Sequence, residues 1–275
     1  RARLERRLTG VDTILGVAPH VLVGLLAAAM LAGWIDAVSG GGGLVQLPAL
    51  LVGLPGVPPA TVLGTNKLSS IIGTSAAART YRRAAVTDVA TAVPMAVAAF
   101  LGSAVGAAIA TRLPGTWFRP LALVLLVVVG LWTLLRPALG ESQDLRWHGG
   151  EEHHRHRAAA IAMGAGIGLY DGVFGPGTGT FLVFGLVALL GYSFLNASAI
   201  AKIVNVATNL AALIVFGATG HVLWGLGLAM GVANLTGAVV GARTAVRRGS
   251  RFVRVVFLVV VAVLLLRLGY DVLRG

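Results

Sequence analysis

Asp36-Ala37-Val38-Ser39-Gly40-Gly41-Gly42-Gly43 is answered 135 residues later by Asp171-Gly172-Val173-Phe174-Gly175-Pro176-Gly177-Thr178-Gly179. Each stretch cuts a long apolar run into a longer and a shorter piece. Glycine has no Cβ and proline no N–H, so continuous helical hydrogen bonding is expected to fail at both places. Four glycines in a row exceed what close helix packing requires, whereas Gly102 with Gly106 and Gly237 with Gly241 have the small-xxx-small spacing of packing contacts. The expectation is a pair of glycine-broken helices.

Working outward at the same offset, the chain aligns with itself without a gap from Gly33 to Arg112. Gly33 meets Gly168, Met95 meets Met230, Gly102 meets Gly237, Gly106 meets Gly241 and Arg112 meets Arg247. The only two lysines, Lys67 and Lys202, also stand 135 apart, each inside an apolar segment. Asp36 and Asp171 are the only acids within such segments; the others fall at segment ends or in loops. Duplication accounts for all of this. The expected division is a first repeat over 1–137, a polar linker over 138–157 and a second repeat over 158–275.

Composition names the solvent. Hydrophobic residues make up 57% of the 275 positions and charged residues 12%, which cannot cover a soluble protein of ordinary polarity. Apolar stretches at 17–37, 60–78, 87–110, 119–135, 158–174, 196–217, 222–242 and 253–269 have the length a helix needs to cross about 30 Å of hydrocarbon. Runs 44–54 and 180–191 follow the breaks and are too short to span. The fold class is therefore all-α: a polytopic membrane protein of two repeats, each of about four hydrophobic segments, with seven to eight transmembrane helices. The net charge of +12 comes from arginines at segment ends, as headgroup anchoring and the positive-inside bias require, and no aromatic-basic surface points to nucleic acid. Arg1 to Arg7 precede an apolar segment too long for a signal-peptide core and read as an uncleaved anchor. With no cysteine, thiol nucleophiles, disulfides and cysteine metal sites are excluded. The linker's Glu141, Asp144, His148, Glu151, Glu152, His153, His154 and His156 could ligate a transition metal, but a solvated, mobile loop is the simpler reading.

Irregular backbone at membrane depth is tolerated only where protein or a water-filled cavity satisfies it, and a broken helix offers free N–H groups and a positive dipole end to an anion. Gly40, Gly41, Gly42, Gly43, Gly175, Gly177 and Thr178 are thus candidate binding positions at one shared site. Lys67, flanked by Thr65, Asn66, Ser69 and Ser70, and Lys202, on one helix face with Asn205 and Asn209, join them. An ammonium in hydrocarbon must face a cavity, a counter-ion or the headgroups. The bland alternative is that both lysines snorkel. Asp36 and Asp171, one helical turn before each break, could balance the lysines, take a coupling proton, help hold sodium, or brace the broken backbone. Gly64-Thr65-Asn66-Lys67 lacks the ending and the strand of a phosphate loop.

These residues resemble the TauE/SafE family of membrane transporters, through Ala32-Gly33-Trp34-Ile35-Asp36 to Gly43 and Leu63-Gly64-Thr65-Asn66-Lys67 in the first unit. The second unit is similar through Gly168-Leu169-Tyr170-Asp171 to Gly179, Ala201-Lys202-Ile203-Val204-Asn205 and Ala207-Thr208-Asn209. The resemblance covers nearly the whole chain beyond about residue 18. It implies a multi-pass protein of the cytoplasmic membrane that moves sulfite, sulfoacetate or a related organosulfonate. The expected mechanism is alternating access coupled to an ion gradient, sodium or proton, with no cofactor. A homodimer is compatible with this reading.

Two rivals follow from other residue groupings. Ser39 with His221 could form an intramembrane serine protease, and Asp36 with Asp171 could carry a cation or metal. Topology is open as well. Eight full crossings would place Arg79, Arg82 and Arg83 opposite Arg243, Arg247, Arg248, Arg251 and Arg254, against the charge bias. If the segments beside the breaks do not cross completely, the two units are inverted.

Overall fold

The structure is a computed structural model that describes residues 15–84, 88–112, 145 and 152–274. Among the described residues there are eight helices and no strand: α1 (Pro19–Ser39), α2 (Gly43–Gly53), α3 (Pro59–Ala84), α4 (Val89–Ala110), α5 (Glu152–Val173), α6 (Thr178–Ala188), α7 (Phe194–Ala218) and α8 (Trp224–Arg274). α2 and α6 coincide at both ends under the 135-residue offset, and α3 and α4 start where α7 and α8 do. α8 bends at Gly249, whose backbone (φ 72°, ψ −171°) is not helical.

The chain breaks where glycine and proline predicted. α1 stops at Gly40, which turns left-handed (φ 84°) and donates its N–H to the Asp36 carbonyl at 2.8 Å. α2 then folds back along α1: Gly42 lies against Ala32 and Asp36, and Gly53 against Val21 and Leu25. α6 folds back on α5 in the same way, with Gly185 against Met163. Two helical hairpins result.

Long helices pair in parallel across the repeats. Ala99 and Ser103 of α4 face Gly168 and Gly172 of α5, and Met30 and Trp34 of α1 face Gly237 and Gly241 of α8. At these glycines a Cβ would run into partner backbone, so the helices approach through bare backbone. The fourth helix of each repeat packs mainly on the other repeat: α4 on α5 and α7, α8 on α1 and α3.

These pairings fix direction. One face of the bundle gathers the start of α3, the end of α4 and the α7–α8 turn, where Leu223 donates its N–H to Thr65 Oγ1 at 3.0 Å. The opposite face gathers Asp88 at the start of α4, the start of α5, the α6–α7 turn and Gly249. There Tyr192 donates to Asp88 at 2.6 Å, His156 Nε2 lies 3.1 Å from the Tyr192 hydroxyl, and Leu195 N–H reaches Ser250 Oγ at 3.3 Å. Of these two, the former is the first face of the bundle and the latter the second. α3 runs from the first to the second and its mirror α7 runs back, so the two repeats are inverted.

Arg79, Arg82, Arg83, Arg155, Arg157 and the run from Arg243 to Arg254 all stand on the second face or approach it. Of the arginines whose side chains are described, only Arg112 ends on the first. The positive-inside bias assigns the second face to the cytoplasm. Eight full crossings in strict alternation are thereby replaced by inversion: the hairpins return to the face they came from, which brings both arginine groups together.

The apolar stretch 119–135 lies outside the described residues, as do most of 138–157. The last linker residues, Glu152 to Arg157, are helical rather than loop and form the start of α5, with His156 buried against Tyr192. Glu141, Asp144, His148 and Glu151 lie outside the described residues, and no metal-ligating group of three or more occurs among those described.

Candidate functional site

α2 and α6 have 11 residues each, about 16 Å of helix, so hairpins entering from opposite faces bring their tips together near the middle of about 30 Å of hydrocarbon. The tips touch. Gly40 lies against Gly179 and Thr180 with no space for a Cβ on either glycine, and Gly43 faces Gly175, Pro176 and Gly177. Thr180 Oγ1 donates to the Ser39 carbonyl at 3.3 Å, tying the second break to the first. Gly175 and Gly177 turn left-handed, at φ 83° and 80°. Thr178 Oγ1 and Tyr170 OH hold this turn by donating to the carbonyls of Gly175 (2.9 Å) and Pro176 (2.6 Å). Neither α2 nor α6 has a side-chain cap; the Leu44, Val45 and Thr178 N–H groups bond to the carbonyls of Gly41, Gly42 and Gly175, which leaves those of Gly43, Gly179 and Thr180 as the free donors of the two helix tips.

Three buried charges, Lys67, Asp171 and Lys202, and the partly exposed Asp36 surround this junction in crossed pairs. Lys67 on α3 binds Asp171 on α5 at 2.7 Å, with only 2% and 1% of the side chains exposed. Lys202 on α7 binds Asp36 on α1 at 3.2 Å, with 0% and 13% exposed, and also donates to the Asp36 carbonyl. Each lysine of one repeat thus neutralises the aspartate of the other. Both ammonium groups lie at the negative ends of helices, Lys202 at the close of α1 and Lys67 beside Gly175 just past α5. Snorkelling is ruled out by burial: both lysines sit about 12 Å along their helices, enclosed by protein. Hydroxyls complete the carboxylate shells. Thr74 donates to Asp36 at 3.2 Å, and Ser103 lies 3.4 Å from Asp171 while donating to the Thr208 carbonyl at 2.8 Å.

Other sequence candidates distribute unevenly. Asn205 and Asn209 are buried on the Lys202 face and linked to each other at 3.5 Å, with Thr208 Oγ1 donating to the Asn205 carbonyl at 3.1 Å. Asn66 is buried beside Lys67 with its carbonyl oxygen unpartnered. Thr65 turns away: its hydroxyl donates to the Thr61 carbonyl and accepts from Leu223, which anchors α3 to the α7–α8 turn. Thr74 and Ser103 escape a reading based on charge and glycine. Thr74 could have been found through the offset, since it mirrors Asn209.

The rival groupings fare differently. Ser39 donates to its own helix at Ile35 (3.1 Å), and His221 Nδ1 lies 2.9 Å from Thr219 Oγ1 in the first-face turn, so no hydrogen bond joins serine and histidine. Asp36 and Asp171 each face a lysine ammonium, which occupies the position a carried cation would need.

The sequence profile described as Sulfite exporter TauE/SafE matches residues 25–268. The chain is 37% identical over 257 residues to the probable membrane transporter protein ORF9 of Sinorhizobium sp, covering 93% of this chain and 95% of that one. It is 34% identical over 260 residues to the probable membrane transporter protein YfcA of Escherichia coli K12, covering 94% of each, and 32% identical over 251 residues to a probable membrane transporter protein of Haemophilus influenzae, covering 90% of this chain and 94% of that one. No solved structure matches.

Proposed function

We propose that this chain, which belongs to the TauE/SafE family of membrane transporters, carries a small sulfur-containing oxyanion, such as sulfite or sulfoacetate, by ion-coupled alternating access. The observation that carries the reading is the junction itself, where two uncapped helix tips meet between two crossed Lys–Asp pairs. With no substrate the four charges cancel. An arriving oxyanion competes with a carboxylate for the lysine ammonium and gains the N–H groups of Gly43, Gly179 and Thr180, at the tips of α2 and α6, as further donors. The displaced carboxylate, Asp36 or Asp171, is then free to take a proton or to hold sodium, which links the anion to a gradient.

Crossing of the pairs links binding to movement. Each pair joins one hairpin to a long helix of the other repeat, so loosening one pair while the other holds shifts one repeat relative to its partner. In inverted repeats the two resulting arrangements are mirror alternatives that open to opposite faces.

The test is flux of labelled sulfite and sulfoacetate into proteoliposomes, with sodium and proton gradients imposed separately. Gradient-dependent uptake of either anion, lost in Lys67→Met and Lys202→Met, is the expected result. Absence of gradient-dependent flux for any small anion overturns the proposal.

A further inference from the structure

The inverted repeat contains its own control, because a residue that the shared fold requires should have a counterpart 135 positions away. Gln46, Asn66, Ser69 and Asn234 have none in kind: their mirror positions are Phe181, Ala201, Val204 and Ala99. The apolar set is buried, with the Phe181 ring packed 5.0 Å from Tyr170. Burial is as complete in the polar set, at 0% for Gln46 and Ser69, 4% for Asn66 and 3% for Asn234. At these four positions the same fold therefore carries apolar side chains in one copy and amides and a hydroxyl in the other, although Gly73 on the polar stripe mirrors the buried Thr208.

The polar set lies together. Asn234 Nδ2 donates to Gln46 Oε1 at 2.9 Å, and the Asn234 side chain fills the space left by Gly73 on α3. Asn66, Ser69 and Gly73, at i, i+3 and i+7, form one stripe of α3, so Asn66 and Ser69 share the helix face that Asn234 and Gln46 approach. Yet Gln46 Nε2, Asn66 Oδ1 and Ser69 Oγ have no hydrogen-bond partner. Three unpartnered buried polar atoms along one helix face and its neighbour, where the mirror positions do without polarity, call for a ligand.

We infer that Gln46, Asn66 and Ser69 form a hydrogen-bonding subsite for a neutral hydroxyl carried by the transported anion, on one side only of the central junction. The inference rests on the anion-transport reading above. An amide N–H, an amide oxygen and a hydroxyl together offer a donor, an acceptor and a group that is either, which complements a group that donates and accepts in turn. The S–OH of hydrogensulfite and the alcohol of a hydroxyalkylsulfonate have that character. The placement suits a small bifunctional anion, since Asn66 adjoins Lys67 in sequence and Gln46 lies in the first turn of α2, beside the helix tip. Its charged oxygens would lie at the junction and its hydroxyl in the subsite.

The probes are 2-hydroxyethanesulfonate and ethanesulfonate, equal in charge and differing by one hydroxyl, with binding to the purified full-length chain followed by thermal shift and flux followed in proteoliposomes. Wild type is expected to prefer the hydroxylated anion by roughly tenfold or more, the discrimination that unmet buried hydrogen bonds produce. Ser69→Ala and Asn66→Ala should each bring the ratio close to one, and Ser69→Thr, which keeps a hydroxyl, should retain it. Equal handling of the two sulfonates by wild type overturns the subsite while leaving anion transport standing, and so does a ratio unchanged in both alanine variants. If the alanine variants lose sodium dependence and keep the ratio, the cluster is a cation site and the inference fails. If neither probe binds or moves, the subsite is overturned, while anion transport is decided separately by the flux of sulfite and sulfoacetate.

Discussion

A buried ion pair is worth little against well-packed apolar residues, but losing one partner is severe because the other charge stays behind in a medium that cannot solvate it. Lys67→Met should therefore destabilise the protein by about 3–5 kcal/mol, since Asp171 is sealed. The double variant Lys67→Met with Asp171→Leu should recover most of that loss while remaining inactive. Lys202→Met should be milder than Lys67→Met, because Asp36 is 13% exposed and keeps some access to water. Melting of the four proteins in detergent checks this, and a double variant no more stable than its single parent refutes it. Asp88, capping α4 at the arginine-rich face, behaves differently. Burial opposes its ionisation, but hydrogen bonds from Tyr192 and from the Thr91 hydroxyl and N–H outweigh it and hold the carboxyl below its ordinary value. A carboxyl held low in the folded state stabilises above its unfolded range and loses that contribution as pH falls through the folded one. Melting temperature should accordingly drop on acidification below about pH 4, and Asp88→Asn should remove that part of the slope.

At the scale of elements, the glycines separate contact from open surface. A Cβ on Gly102 of α4 would strike the backbone of α5, whereas Gly166 of α5 has nothing within 4 Å. Gly102→Leu is expected to cost about 1–3 kcal/mol or more by forcing α4 from α5, and Gly166→Leu to stay within about 0.5 kcal/mol of wild type. Equal melting temperatures for the two would contradict the parallel α4–α5 pairing. These elements also mark how far the sequence could be read. The breaks at Gly40 and Gly175 were legible because glycine, proline and an internal repeat speak locally, whereas α6 spans Thr178–Ala188 and not the apolar run 180–191. The crossed pairing of Lys67 with Asp171 was not, because an offset states which residues are equivalent and never which ones touch. Gln46 and Asn234 passed unnoticed for another reason: a single amide in an apolar run carries no charge, and its meaning appears only when its hydrogen bonds are counted.

Across the whole molecule, direction is the property to measure. Because the chain has no cysteine, single cysteines report without background. Thr111→Cys and Thr219→Cys stand on the first face, Arg83→Cys and Arg247→Cys on the second. An impermeant maleimide added to intact cells should label the first two only, and the other two after the membrane is opened. Labelling of Arg83→Cys and Arg247→Cys from opposite sides would restore the uninverted arrangement.

The packing of α4 on α5 and α7, and of α8 on α1 and α3, bears on where such a chain comes from. Half of it, cut after α4, has most of its fourth helix's partners missing and could not bury that helix alone. Two copies of one half, threaded through the bilayer in opposite senses, would supply each other's missing neighbours and both crossed ion pairs. An ancestor encoding only that half would have needed an ambiguous insertion signal, with the same polypeptide settling both ways up. A single fused chain fixes the orientation of each half and leaves the two free to diverge, as Gln46, Asn66 and Ser69 differ from their mirror positions Phe181, Ala201 and Val204.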